Sequence, residues 1–251
     1  MKDKKIFFSA SFMRCGNTVL TSILNQNPDL KMSPNSILPE MMYNIAVLKE
    51  GTLFAEQKDH QSFDNVLKQM MYDYYKDWNS KYIIDRSAWG TPANMQVLKM
   101  ADLLPSKFIC LIRPIEEMLG SFVKASKCPR DKVEGFCDFL MDENGPIGKT
   151  ILSYENLKKN HKKDLLVIQY KDLCKNPKKV IKGIYSFLEI PYYKDHSFTN
   201  LKQVDFSKGT QTKIRTDSVK LIPYRYTDYI TEYTEKKYAN TFRNTRRKNR
   251  R

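Results

Sequence analysis

Arg14, Gly16, Asn17 and Thr18 fall within five residues, directly after an apolar run that ends at Ser11. Val19, Leu20, Ile23 and Leu24 then repeat at helical spacing. A strand, a tight basic loop and a helix start in that order make a pocket for an anion. The first N–H groups of a helix have no partner within it, and the dipole there favours negative charge. Arg14 adds a fork of donors matched to phosphate or sulfate oxygens. The chemistry implied is the holding of a nucleotide or another phosphorylated ligand. An ordinary strand–helix turn carrying a glycine gives the same local pattern without any ligand.

A second group has the same logic. The apolar run 108–112 ends in Arg113-Pro114, and Ser121 follows eight residues after the arginine. Proline suits a helix start, and eight residues is a little over two turns, so Ser121 shares a face with the helix opening. An arginine and a serine so placed can grip one phosphate from two sides. Arg113 can equally pair with Glu116 or Glu117. A third strand end reads Asp85-Arg86-Ser87-Ala88-Trp89. Here Arg86 is a further cation and Trp89 reads as a core residue. Asp85 reads as a turn residue, a partner for an arginine, or a base. The loop at Arg14 is not a Walker loop, because no Gly-Lys pair precedes Thr18.

These residues need a frame. Short apolar runs at 6–11, 82–84, 108–112 and 165–168 read as buried strands. Helical patterns at 18–26, 62–78, 92–103, 115–126, 147–160, 177–188 and 226–240 alternate with them. That alternation predicts an α/β fold with a parallel central sheet flanked by helices. Ligands in such sheets bind beyond the carboxyl ends of the strands, where Arg14 and Arg113 both fall. Residues 130–145 show no period. Residues 189–223 are polar and aperiodic, which in a compact domain marks a binding loop or lid.

The chain has 251 residues, 41% of them hydrophobic, which is enough for one sizeable core. Its net charge of +15 points to an anionic partner. Six arginines and lysines crowd residues 243–251, and without them the charge is still +9. That basic end reads as a solvated, disordered tail. Five scattered cysteines show neither metal-ligand spacing nor a disulfide framework, which suits a reducing, cytoplasmic setting. The N-terminal apolar run is too short for a signal peptide or a membrane span. His60, His161 and His196 read as surface residues, and Tyr72, Tyr74 and Tyr75 as helix packing or an acceptor cleft.

Taken together, Met13-Arg14-Cys15-Gly16-Asn17-Thr18, Arg113 with Ser121, and the stretch Val167-Ile168-Gln169-Tyr170-Lys171-Asp172-Leu173 resemble the sulfotransferases that use 3′-phosphoadenosine 5′-phosphosulfate. Asn176-Pro177 and Phe187-Leu188-Glu189-Ile190-Pro191 continue the likeness, which covers roughly residues 5–225. The tyrosylprotein and bacterial members are nearest in flavour. The resemblance implies a P-loop-like three-layer fold over a single domain at 1–242. It also implies that Arg14, Cys15, Gly16, Asn17 and Thr18 hold the 5′-phosphosulfate, and that Arg113 and Ser121 hold the 3′-phosphate. Lys213 and Arg215, with Ser207-Lys208-Gly209, fall where the family's late loop reaches over the nucleotide.

The departures are specific. Met13 and Cys15 replace a proline and a serine, and no histidine stands after the 82–84 strand. Tyrosylprotein members have a glutamate just past the first helix, where this chain has Met32-Ser33-Pro34-Asn35-Ser36. Glu40 is the nearest carboxylate. Arg14 and Arg86 are then the cations at the reacting sulfonate and Glu40 the candidate base, with no metal expected. The acceptor is a small molecule, a sugar or a peptide. Two other readings stay open: a divergent P-loop kinase and a basic nucleic-acid-binding protein. The tail has no aromatic interleaving, which argues against single-strand stacking. A family member that binds nucleotide without turnover is a further alternative, since no acid stands at the family's base position.

Overall fold

The computed structural model describes residues 4–57, 59–199, 201, 226–238 and 241. The expected contacts at Lys213 and Arg215, the Ser207–Gly209 stretch and the basic tail lie outside these residues.

Five strands form one sheet: β1 (Lys5–Ser9), β2 (Leu30–Asn35), β3 (Tyr82–Arg86), β4 (Phe108–Ile112) and β5 (Leu165–Gln169). All pairings are parallel, in the order β2-β3-β1-β4-β5. The helices, in chain order, are α1 (Asn17–Leu24), α2 (Leu38–Val47), α3 (Thr52–Gln57), α4 (His60–Tyr74), α5 (Pro92–Met100) and α6 (Ile115–Ser126). They continue with α7 (Val133–Met141), α8 (Pro146–Asn160), α9 (Tyr170–Lys175), α10 (Pro177–Leu188) and α11 (Glu232–Tyr238). Among the described residues no helix is long and apolar enough to cross a membrane.

The strands are apolar at nearly every position because both faces of the sheet are covered. Successive residues point to opposite faces. Phe7, Ile84 and Ile109 therefore join one core with Leu20, Ile23, Met118 and Ile184, which come from α1, α6 and α10. Phe8, Ile83 and Phe108 join a second with Met42, Leu67, Met71 and Leu98, which come from α2, α4 and α5. The three layers are the expected ones. Several elements escaped the sequence pattern, among them α2, α3, α9, β2 and α7. β2 is an edge strand that carries Pro34, and α7 fills the aperiodic 130–145 stretch.

Several single residues take the bland role. Trp89 is fully buried and donates Nε1–H to Asp85 Oδ1 at 2.6 Å. Cys110 is core. His196 corrects the surface expectation, since it is buried among Tyr185, Tyr192 and Tyr193 with a ring nitrogen 3.0 Å from the Tyr185 hydroxyl. Tyr75 is buried and bonded to Asp85.

Candidate active site

The loop between β1 and α1 is stapled to the neighbouring strand. Ala10 N donates to Ile109 O at 2.8 Å, Phe12 N to Leu111 O at 3.2 Å, and Leu111 N to the Ser11 hydroxyl at 2.9 Å. The chain then turns sharply, with φ 62° at Arg14 and φ 100° at Gly16. Left-handed backbone at a non-glycine residue costs about 1–3 kcal/mol and clusters at functional sites. Two side chains brace the turn from inside. Asn17 Nδ2 donates to Phe12 O at 2.7 Å, and the single proton of the Cys15 thiol is shared between Phe12 O at 2.6 Å and Leu111 O at 2.9 Å. Burial pushes the Cys15 thiol up to about 12, so it stays protonated in the core. Cys15 can therefore serve an anionic ligand only through its backbone amide, whereas Asn17 keeps a buried Oδ1 with no hydrogen-bond partner among the described residues.

No side chain caps α1, and no acid stands in its first turn. The positive end of the helix thus faces out of the loop beside the exposed Thr18 and Arg14. Arg14 Nε donates to the Ser121 hydroxyl at 3.2 Å, across 107 residues of sequence. This bond joins the first loop to α6.

Arg113, at the end of β4, is 7% exposed. Its Nη2 donates to Glu117 Oε2 at 3.0 Å. Its guanidinium is 5.2 and 5.0 Å from the ring centroids of Tyr170 and Tyr226. The expected pairing with a glutamate therefore exists, but in a buried setting beside the first loop. Glu117 also accepts from Tyr226 N at 2.7 Å, and a methyl group at Gly120 would collide with the Tyr226 carbonyl. The chain at Tyr226 is thus seated on the α6 face that carries Ser121. Tyr170, the first residue of α9, sets its ring against Gly16 and within 5.2 Å of the Arg113 guanidinium. Tyr226 and Glu117 were not legible as site residues. Tyr170 was legible only as part of a motif.

Arg86 ends β3, opposite Ser9 in the register. It is close enough to Cys15 to act on its thiol, as Arg113 is. Its Nε is buried with no hydrogen-bond partner among the described residues. Burial lowers its pKa from the usual arginine value, with Cys15 and Asp85 opposing. Asp85 points to the other face of the sheet. It accepts from Tyr75 and Trp89, and burial raises its pKa. A fully buried carboxylate cannot meet an acceptor hydroxyl, so Asp85 is an anchor rather than a base. Glu40 is exposed in the first turn of α2.

Three arginines from three adjacent strand ends thus border one loop. Among the described residues no group of three His, Cys, Asp or Glu could hold a metal ion. A cavity of about 730 Å³ lies at the opposite ends of the strands, lined by Lys5, Tyr72, Leu104 and Lys107. That removes Tyr72 from any acceptor cleft.

Gly16 offers a direct check on this geometry. A methyl group there would overlap the Tyr170 ring on a backbone at φ 100°. Gly16→Ala is expected to cost about 2–4 kcal/mol, from left-handed strain plus overpacking. Thermal unfolding measures it. Adding Tyr170→Ala should recover the overpacking part only, and full recovery would mean that the backbone carries no strain.

A parallel sheet covered by helices on both faces, with a tight loop leading from its central strand into a helix, is the frame of a P-loop-like fold. The sulfotransferase domain model matches residues 4–245, and the chain belongs to that family. No curated protein sequence matches it. Among solved structures, mouse sulfotransferase SULT7A1 complexed with PAP is 16% identical, over 96% of this chain and 84% of that one, with a TM-score of 0.59. The sulfotransferase domain of a Synechococcus olefin synthase is 19% identical over 96% of both chains, with a TM-score of 0.54. Retinol dehydratase in complex with androsterone and inactive cofactor PAP is 15% identical, over 97% of this chain and 81% of that one, with a TM-score of 0.51. At these identities the likeness is one of fold.

Proposed function

We propose that this sulfotransferase uses 3′-phosphoadenosine 5′-phosphosulfate as its donor and works at the β1, β3 and β4 tips. The bond from Arg14 to Ser121 carries the reading, because it brings the β1 loop and the α6 face together over one surface. The residues present fit such a donor. Uncapped amides at α1, an orphaned buried Arg86 Nε and a stacked Arg113 all favour an anion with two charged ends. When bound, the donor supplies the sulfonate: its S–O bond to the 5′-phosphate breaks as a bond to the acceptor oxygen forms.

The chain's work is positioning and electrostatics. Arg113 and Ser121 take the 3′-phosphate, with the Tyr170 and Tyr226 rings packed beside the guanidinium. Gly16, Thr18 and the amides of Cys15 and Asn17 take the 5′ end. Arg14 and Arg86 face the oxygens on which charge grows. Glu40 is the carboxylate assigned to receive the acceptor's proton. Lys213 and Arg215 complete the 3′-phosphate or acceptor contacts. Free cysteines fit a cytoplasmic setting.

A thermal-shift screen with adenosine 3′,5′-bisphosphate, ATP with Mg²⁺, and an oligonucleotide tests the donor. The bisphosphate should stabilise the protein most. Preference for ATP with Mg²⁺ would favour the kinase reading, and salt-sensitive preference for the oligonucleotide a nucleic-acid role. In the same preparation Glu40→Gln should lower turnover about tenfold or more while the bisphosphate binds as before. Unchanged turnover would move the base elsewhere.

A further inference from the structure

Arg113 is a cation held almost wholly out of water. A charge so placed needs an opposite charge beside it. Glu117, in the first turn of α6, stands 3.0 Å from its Nη2. The same oxygen of Glu117, Oε2, also accepts from Tyr226 N at 2.7 Å, across 109 residues of sequence. One carboxylate oxygen thus takes two N–H donors, one from a strand end and one from a distant backbone.

The rest of this helix face agrees. Residues 117, 120 and 121 share one side of α6, at i, i+3 and i+4. Gly120 leaves the space that the Tyr226 carbonyl fills, and Ser121 accepts from Arg14. Tyr226 is therefore fixed through its backbone, with its N–H on Glu117 and its carbonyl against Gly120. Its ring then stands 5.0 Å from the Arg113 guanidinium. An arginine carries five N–H donors in a rigid fork, so a bond from one nitrogen fixes how the whole fork is turned. Two donors on one oxygen also compete for its charge. A phosphate that draws charge from Arg113 leaves more of the carboxylate to the Tyr226 amide.

We propose that Glu117 is a positioning residue for the 3′-phosphate. It turns the Arg113 fork toward the ligand and couples occupancy of that fork to the seating of Tyr226 on α6. This coupling rests on the donor reading above, since it needs a 3′-phosphate at Arg113. By charge alone a carboxylate at this place opposes an anionic ligand. The sign of the effect on removing it therefore separates positioning from charge.

Two variants of the full chain are titrated calorimetrically with adenosine 3′,5′-bisphosphate and adenosine 5′-phosphate. Glu117→Ala removes the charge and both bonds. Glu117→Gln removes the charge but keeps an oxygen within reach of both donors. Glu117→Ala should weaken the bisphosphate about tenfold and the 5′-phosphate less than about threefold, and Glu117→Gln should recover part of that loss. Charge alone would instead make both variants bind the bisphosphate more tightly. Tighter binding, no change, equal losses for the two ligands, or a glutamine variant as weak as the alanine one overturns the inference and leaves the donor reading standing. Amide hydrogen exchange of the wild type needs no substitution. The bisphosphate should slow exchange at Tyr226 about fivefold or more, and adenosine 5′-phosphate should leave it unchanged. The same slowing by both ligands, or none by either, also overturns the inference. Failure of the wild type to bind the bisphosphate overturns the donor reading with it.

Discussion

Arg113→Ala is expected to weaken adenosine 3′,5′-bisphosphate binding by about tenfold to a hundredfold, because a hydrogen bond to a charged group contributes roughly 1.5–3 kcal/mol. Adenosine 5′-phosphate, which lacks the 3′ group, should lose less than about threefold on the same scale. The ratio of the two affinities is the informative quantity. Removing Arg113 also takes a cation away from the Tyr170 and Tyr226 rings and deletes its hydrogen bond to Glu117. That damage would weaken both ligands alike. Arg113→Lys separates the effects further. It keeps the charge but loses the planar fork and the stacking. Calorimetric titration of both ligands against both variants decides the matter. Equal losses for the two ligands would take Arg113 out of the 3′-phosphate site.

How much of this was legible depends on how local each cause is. The β1–loop–α1 unit was readable because each part is dictated within a few residues: an apolar run, a glycine at the turn, and a 3.6-residue repeat. The strands at 108–112 and 165–168 were readable for the same reason. β2 was not, because Lys31, Pro34 and Asn35 break the strand signal, and such residues are tolerated where the strand lies at the sheet edge. α2 was hidden by its own surface. Apolar residues on two faces blur a single stripe, so no helical period stands out. α7 was lost partly to Gly135, which weakens any helical pattern. In the site, residue types and strand ends suggested Arg14, Arg86 and Arg113. The bond to Ser121 spans 107 residues, and no spacing within either segment predicts it. The Tyr170–Arg113–Tyr226 stack joins three distant segments. Such contacts are tertiary facts, and only the order of motifs hinted at the first of them.

Arg14→Ala should show the opposite split from Arg113→Ala: turnover falls and nucleotide affinity changes little. Arg14 stands exposed at the loop apex, where α1 presents its positive end. A group placed there acts most on charge that appears as the sulfonate leaves, and only interactions stronger in the transition state raise the rate. One charge-assisted bond sets the scale, so single-turnover transfer should slow about tenfold to a hundredfold or more. Bisphosphate affinity should move by less than about threefold, since the α1 amides and Arg113 remain. Backbone strain is the confounding factor. Arg14 has φ 62°, which alanine tolerates no better. Arg14→Gly removes that objection, because glycine adopts this conformation without strain. The two variants should be equally slow if the guanidinium is what matters. Ser121→Ala completes the comparison. It deletes the partner of Arg14 Nε but keeps the charge, so it should cost bisphosphate affinity more than rate. A fast Arg14→Gly enzyme would place the guanidinium outside the reaction and leave Arg86 as the cation facing the sulfonate.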